Sequence, residues 1–178
     1  MYVIPEPRRN TGAEHLPDCM HAIEEHYQLQ LIYYDYRDEK EKTYTVQPYK
    51  LKHKDYKWYL LAVDIAHPEI PFKSFALERI RSIEEGESFS PNEQLDFVTP
   101  YRDAFGMFTD EQAERLVLEF DHRDGNYLMA SPIHPSQRVV SKTKTRITFE
   151  LYIKPTLDLI MELMKRSWSL TIIEPQYL

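Results

Sequence analysis

Tyr56-Lys57-Trp58-Tyr59-Leu60-Leu61-Ala62-Val63-Asp64 decides how the rest of the chain is read. Trp58, Leu60 and Ala62 share one parity and Tyr59, Leu61 and Val63 the other, so a strand here is apolar on both faces. Such a strand needs cover on each side. Its neighbours supply strands of the same short length. Upstream, Leu29, Leu31 and Tyr33 alternate with Ile32 and Tyr34 until the charged turn Arg37-Asp38-Glu39-Lys40-Glu41, and Thr43 to Leu51 reads as a second strand. Downstream of the turn at His67-Pro68-Glu69-Ile70-Pro71 come Phe72 to Leu77 and Arg79 to Ile83. Five short strands so spaced predict a small β-barrel.

Ahead of the strands, Asp18 is placed to cap a short helix over Cys19 to His26, with Met20, Ala22 and Ile23 as its small apolar face. Residues 1–17, with Pro5, Pro7, Gly12 and Pro17, read as an extended arm or linker remnant. Residues 91–114 are polar, punctuated by Pro100, and are expected to connect two domains.

The remainder has a different rhythm. Leu116 to Phe120, Ile133 to Val140, Arg146 to Ile153 and Trp168 to Ile173 read as strands. Leu157, Ile160, Met161 and Met164 fall at helical spacing, with Pro155 suited to the first turn. If His122 to Ala130 is also helical, the order is strand, helix, two strands, helix, strand, which is the ferredoxin-like pattern; Gly125 and Asn126 favour a turn there instead. The expected architecture is mostly β with α+β character, a barrel over 18–90 followed by a ferredoxin-like module over 115–178.

Composition bounds the function. A chain of 178 residues, 42% hydrophobic and 13% aromatic, is able to bury a sizeable core. The formal net charge of -7 argues against general polyanion binding. That charge is uneven: residues 1–114 hold 13 basic against 22 acidic side chains, and 115–178 hold 9 against 7. Cys19 is the only cysteine, which excludes an intrachain disulfide and a cysteine-rich metal centre within one chain. No apolar run approaches the length of a membrane span, and a cytoplasmic protein is expected. Four glycines, at 12, 86, 106 and 125, form no phosphate cradle, and neither a G-x-S-x-G elbow nor an H-E-x-x-H helix occurs. His122-Arg123-Asp124 matches part of a kinase catalytic loop without its partners. No enzymatic activity, cofactor or metal is expected.

Trp58-Tyr59-Leu60 spells the tripeptide for which the WYL family is named, and its surroundings match the family in order and spacing. The matching segments are Leu31-Ile32-Tyr33-Tyr34, then Pro48-Tyr49-Lys50-Leu51, then Lys73-Ser74-Phe75-Ala76-Leu77-Glu78-Arg79-Ile80. Pro132-Ile133-His134-Pro135-Ser136-Gln137 and the closing Ile172 to Leu178 are similar to the extension that often follows a WYL domain. The resemblance covers roughly residues 18–178. It implies an Sm-like (SH3-like) barrel, a ferredoxin-like extension, and the sensing part of a bacterial-type transcriptional regulator. Such a sensor binds a small anionic effector, a nucleotide or short single-stranded nucleic acid, and controls an attached winged-helix DNA binder, for which the first 17 residues are too few. A homodimer formed through the C-terminal module is expected. Many relatives have Arg where this chain has Lys73, and a second Arg where it has Ala76. A lysine lacks the planar fork that grips phosphate bidentately.

The expected ligand-binding residues are Tyr49, Trp58 and Tyr59, whose faces would stack a base, with Lys73 and Arg79 meeting a phosphate. Each has a structural alternative. Trp58 and Tyr59 serve equally as core, Arg79 as the partner of Glu78 or Glu84, and Lys73 as an edge-strand charge. The basic cluster Lys50, Lys52, His53, Lys54 and Lys57 either guides an anion or is a solvated turn. The competing function is a protein–protein interaction module without a small-molecule ligand.

Overall fold

The computed structural model describes residues 12–178, so most of the expected arm lies outside the described residues. The chain divides into two compact units, residues 1–97 and 98–178. Both are built on an antiparallel sheet.

The first unit opens with a 3-10 turn and helix α1, Leu16–Glu25. Pro17, not Asp18, sets the helix start: its fixed φ suits the first turn, and Asp18 lies inside that turn, where its charge favours the helix N-terminus. Cys19 and Ala22 are the buried face. Strands β1 (Tyr27–Asp35), β2 (Lys40–Lys54), β3 (Lys57–Asp64), β4 (Lys73–Ala76) and β5 (Ile80–Ser88) follow. Asp35 shapes the first turn, its Oδ1 accepting from the backbone N–H of Arg37 at 2.8 Å and of Asp38 at 3.3 Å. Asp55 and Tyr56, both at positive φ, make the two-residue turn between β2 and β3; of the basic cluster, Lys54 and Lys57 flank this turn, whereas Lys50, Lys52 and His53 lie within β2.

The sheet order is β4-β3-β2-β1-β5, and it is an open sheet, not the closed barrel expected. Closure needs hydrogen bonds between its two edges. β4 is only four residues long, and the chain passes through the 3-10 turn Leu77–Arg79 directly into β5, which spends its length on β1. Leu29, Leu31 and Tyr33 of β1, Val46 of β2, Leu60 and Ala62 of β3, and Phe75 bury one sheet face with Cys19 and Ala22. Each large apolar side chain removed from water contributes about 1.5–3 kcal/mol. Gly12 is obligatory beside this core: at φ 87° it lies against the Leu77–Glu78 backbone, and a Cβ would stand 2.3 Å from Glu78 N.

In the second unit the order is β6 (Glu114–Asp121), α3 (His122–Ala130), β7 (Arg138–Lys142), β8 (Arg146–Ile153), α4 (Leu157–Met164) and β9 (Thr171–Glu174), after a four-residue helix α2 at Thr99–Arg102. The β-α-β-β-α-β pattern expected from sequence is present, with strand order β7-β8-β6-β9. Leu116, Leu118 and Phe120 alternate inward on β6, opposite Ile147, Phe149, Leu151 and Ile153 of β8, and Leu128, Leu159 and Leu163 of the helices complete this core. Helix α3 forms despite Gly125 and Asn126 because Asp121 caps it, accepting from Asp124 N at 2.7 Å. Gly125 is there for packing: a Cβ would lie 2.8 Å from Cβ of Ile147.

Several element boundaries differ from expectation, among them the closing strand, which begins at Thr171 and not at Trp168. Ile133 to Gln137 is a turn, not strand, because the Gln137 amide accepts from Ile133 N at 2.9 Å and donates to Leu128 O at 2.8 Å. Pro155 precedes α4, whose N-cap is Thr156. Residues 91–114 are not a free connection either. Phe97 packs on Tyr49 and Phe72 in the first unit, while Lys154 of the second donates to the carbonyls of Pro100 and Thr109 at 3.0 and 3.1 Å. Among the described residues no helix is long and apolar enough to cross a membrane.

Candidate functional site

Tyr33 closes the inward-facing parity of β1 and meets two other rings edge-on. Its centroid is 6.0 Å from that of Tyr44 on β2 and 5.4 Å from that of Phe75 on β4, and Tyr44 and Phe75 are 5.1 Å apart. These are favourable edge-to-face distances. The register explains the grouping: Leu31 faces Tyr44 across β1–β2, and Leu60 faces Phe75 across β3–β4, so one parity of four strands converges. The Tyr33 hydroxyl accepts from Ala76 N at 3.2 Å. Burial pushes its pKa up to about 12, so the phenol stays protonated.

Arg79 ends the 3-10 turn and lies against two rings, its guanidinium carbon 4.5 Å from the centroids of both Tyr33 and Tyr36. Nε donates to Tyr34 O at 2.9 Å, and Asp35 stands 3.9 Å from a terminal nitrogen. Among the described residues the two terminal nitrogens make no hydrogen bond, although the side chain is only 24% exposed. A planar donor fork is thereby held rigid by aromatic stacking, with its outer edge unoccupied. Asp35 is itself engaged: Lys42 donates to it at 2.6 Å, which with the Arg37 N–H lowers its pKa to about 2.

Lys73 is placed differently from Arg79. Its Nζ donates to Asp64 at 2.6 Å, and the Asp64 side chain is 2% exposed. The ammonium also lies 5.7 Å from the Tyr44 centroid. Asp64 takes a second hydrogen bond from Ala66 N at 3.0 Å. Lys73 therefore neutralises a buried carboxylate at the edge of the aromatic group. A cleft of about 340 Å³ lined by Thr43, Tyr44, Thr45, Asp64, Ile65, Ala66 and His67 adjoins it.

The other three expected residues lie elsewhere. Trp58 is half-buried against the first core, its ring 4.7 Å from that of His53. Tyr59 pairs in register with Lys52 and Ala76 and is half-buried. Tyr49 is the bulged residue of β2, since Pro48 pairs with Ala62 and Lys50 with Leu61. The bulge turns its ring toward Phe89 and Phe97 and away from the ladder. Of the expected set, Lys73 and Arg79 border the aromatic group. Tyr33, Tyr36 and Tyr44 were not among the expected site residues. The alternation of β1 carried a signal for Tyr33, whereas Tyr36 sits in a turn, where periodicity gives none.

The basic cluster also has structural duties. Lys57 donates to Glu78 at 2.7 Å, which raises the lysine pKa.

Among known proteins, the WYL domain family model matches residues 14–85. No curated protein matches the chain. Solved structures similar to it include these two. Proteasome accessory factor B/C (PafBC) of Arthrobacter aurescens is 22% identical with a TM-score of 0.43, over 93% of this chain and 25% of that one. A CRISPR Cas-related protein is 15% identical with a TM-score of 0.57, over 93% of this chain and 48% of the other. The chain thus spans a quarter of the first structure and about half of the second, and the second likeness is one of fold. The matched segment contains the whole Tyr33–Tyr44–Phe75–Arg79 group. Residues 14–85 of this chain are thus similar to the WYL domain family.

Proposed function

We propose that this chain is the sensing part of a transcriptional regulator, acting in the cytoplasm. Its WYL domain binds an anionic effector, a nucleotide or short single-stranded nucleic acid, and controls DNA binding by a region outside these residues. The observation that carries the reading is Arg79, held against Tyr33 and Tyr36, with no hydrogen bond from its terminal nitrogens among the described residues and Asp35 3.9 Å from one of them. A guanidinium so fixed loses little entropy on meeting a phosphate and offers it two parallel hydrogen bonds. Tyr36 is exposed beside it and supplies a face for a base. No chemical reaction is assigned to the chain.

The second unit serves as a dimerisation surface. Leu157, Met161 and Met164 are exposed on α4 at spacings of four and three residues, with Trp168 exposed in the turn beyond it, apolar surface that self-association would bury.

The test is binding of a fluorescein-labelled, 5′-phosphorylated oligothymidylate to the wild type and to Arg79→Gln, followed by anisotropy. Arg79→Gln removes the charge-assisted pair and is expected to weaken binding roughly ten-fold or more. Equal affinities refute the assignment of Arg79. Absence of any binding by the wild type to this probe or to mononucleotides favours a protein-interaction module.

A further inference from the structure

Tyr49, displaced by the β2 bulge, belongs to a cleft of about 410 Å³ that shares no residue with the Tyr33–Arg79 site. That volume lies within the range of small-molecule pockets. One wall is a succession of rings: His26 to Phe89 at 6.0 Å, Phe89 to Tyr49 at 5.6 Å and Tyr49 to Phe97 at 5.2 Å, with Ile23, Pro91 and Leu95 adding apolar surface. The polar lining is sparse and of both signs. Lys50 and Glu93 both border the cleft, and among the described residues neither side chain makes an ion pair or a hydrogen bond, with each other or with any third group. An aromatic floor with one unpaired cation and one unpaired anion is complementary to a ring that carries both charges.

We propose that this cleft is a second binding site, for an aromatic α-amino acid or a close zwitterionic analogue. Its ring stacks on Tyr49 and Phe89, its carboxylate meets Lys50 and its ammonium meets Glu93. Occupancy also has a route outward. Residues 89–97 form the outer wall, tied down by Phe89 N donating to His26 O at 2.8 Å and Asn92 N to the Tyr49 hydroxyl at 3.0 Å. This wall runs directly into Val98, where the second unit begins. A ligand bridging Lys50 and Glu93 fastens the wall to β2, and amide exchange across 89–97 slows as a result.

The experiment is isothermal titration of the full chain with L-phenylalanine and L-tryptophan, and with N-acetyl-L-tryptophanamide, which keeps the ring and loses both charges. Hydrogen exchange is recorded with and without L-tryptophan. The expected result is saturable binding of at least one amino acid, affinity for the amide lower by roughly ten-fold or more, and a similar loss in Lys50→Gln and in Glu93→Gln. Both side chains are exposed, so unchanged melting temperatures verify that the variants fold. No saturable binding of either amino acid, equal affinity for the amide, full affinity in both variants, or unchanged exchange at 89–97 on binding each overturn the proposal.

Discussion

Lys73 heads the motif by which the WYL resemblance is drawn, and its charge suggests ligand contact. The geometry predicts instead that its removal destabilises the first unit. Asp64 is 2% exposed and has two recorded partners, Lys73 at 2.6 Å and Ala66 N at 3.0 Å. Removing one partner of a fully buried pair costs about 3–5 kcal/mol. Lys73 is 27% exposed and Asp64 keeps its backbone donor, so the expected loss for Lys73→Met is nearer 2–3 kcal/mol, by discounting for solvent screening. With a urea m-value of about 1.5 kcal/mol per M, the midpoint falls by roughly 1.3–2 M. Lys73→Glu, which sets a second carboxylate against Asp64, is worse still. The measurement is urea unfolding followed by Trp58 fluorescence in a Trp168→Phe background, since these are the only two tryptophans and Trp58 packs on the first core. Adding Asp64→Asn to Lys73→Met removes the stranded charge and is expected to restore most of the loss. A midpoint shift under roughly 0.3 M for Lys73→Met, or a double variant no more stable than the single one, refutes the reasoning.

Three further outcomes are expected. Asp35 has a folded pKa of about 2 against 3.8 ordinarily, so its contribution is complete above pH 3.8 and is lost as pH falls toward 2; Asp35→Asn flattens the acid limb of the stability curve, and an unchanged limb contradicts the turn assignment. Gly125→Ala forces a methyl against Ile147 and costs about 1–3 kcal/mol by overpacking, read as a lower melting temperature of the second unit. Sedimentation velocity gives a dimer for the wild type and a monomer for Met161→Glu with Met164→Glu; a wild type that remains monomeric across a wide concentration range removes the dimer proposal.

How much of this was legible before any coordinates depends on whether the information is local. Strand existence was: the parity of Leu29, Leu31 and Tyr33 and the two-sided apolar run from Trp58 both survive in β1 and β3. So was the β-α-β-β-α-β order, including a helix over His122–Ala130 that propensity opposed and the Asp121 cap permitted. Barrel closure was not legible, because it depends on pairing between two edges rather than on any strand's own pattern. Nor was the site. Tyr36 becomes significant only because Arg79, 43 residues away, folds back over it, and Lys73 changes meaning because Asp64 is buried opposite it. Sequence gives both residues as cations, and only the fold says which one is already neutralised.

That distinction between the two cations is the core of the functional account, and the salt dependence of wild-type binding tests it most directly. With Arg79 neutralising one phosphate, the affinity for a 5′-phosphorylated oligothymidylate is predicted to fall with a slope of about -0.7 in log K against log salt, the value for one neutralised phosphate on a single strand. A slope near zero, or no binding across the salt range, contradicts an anion site at Arg79.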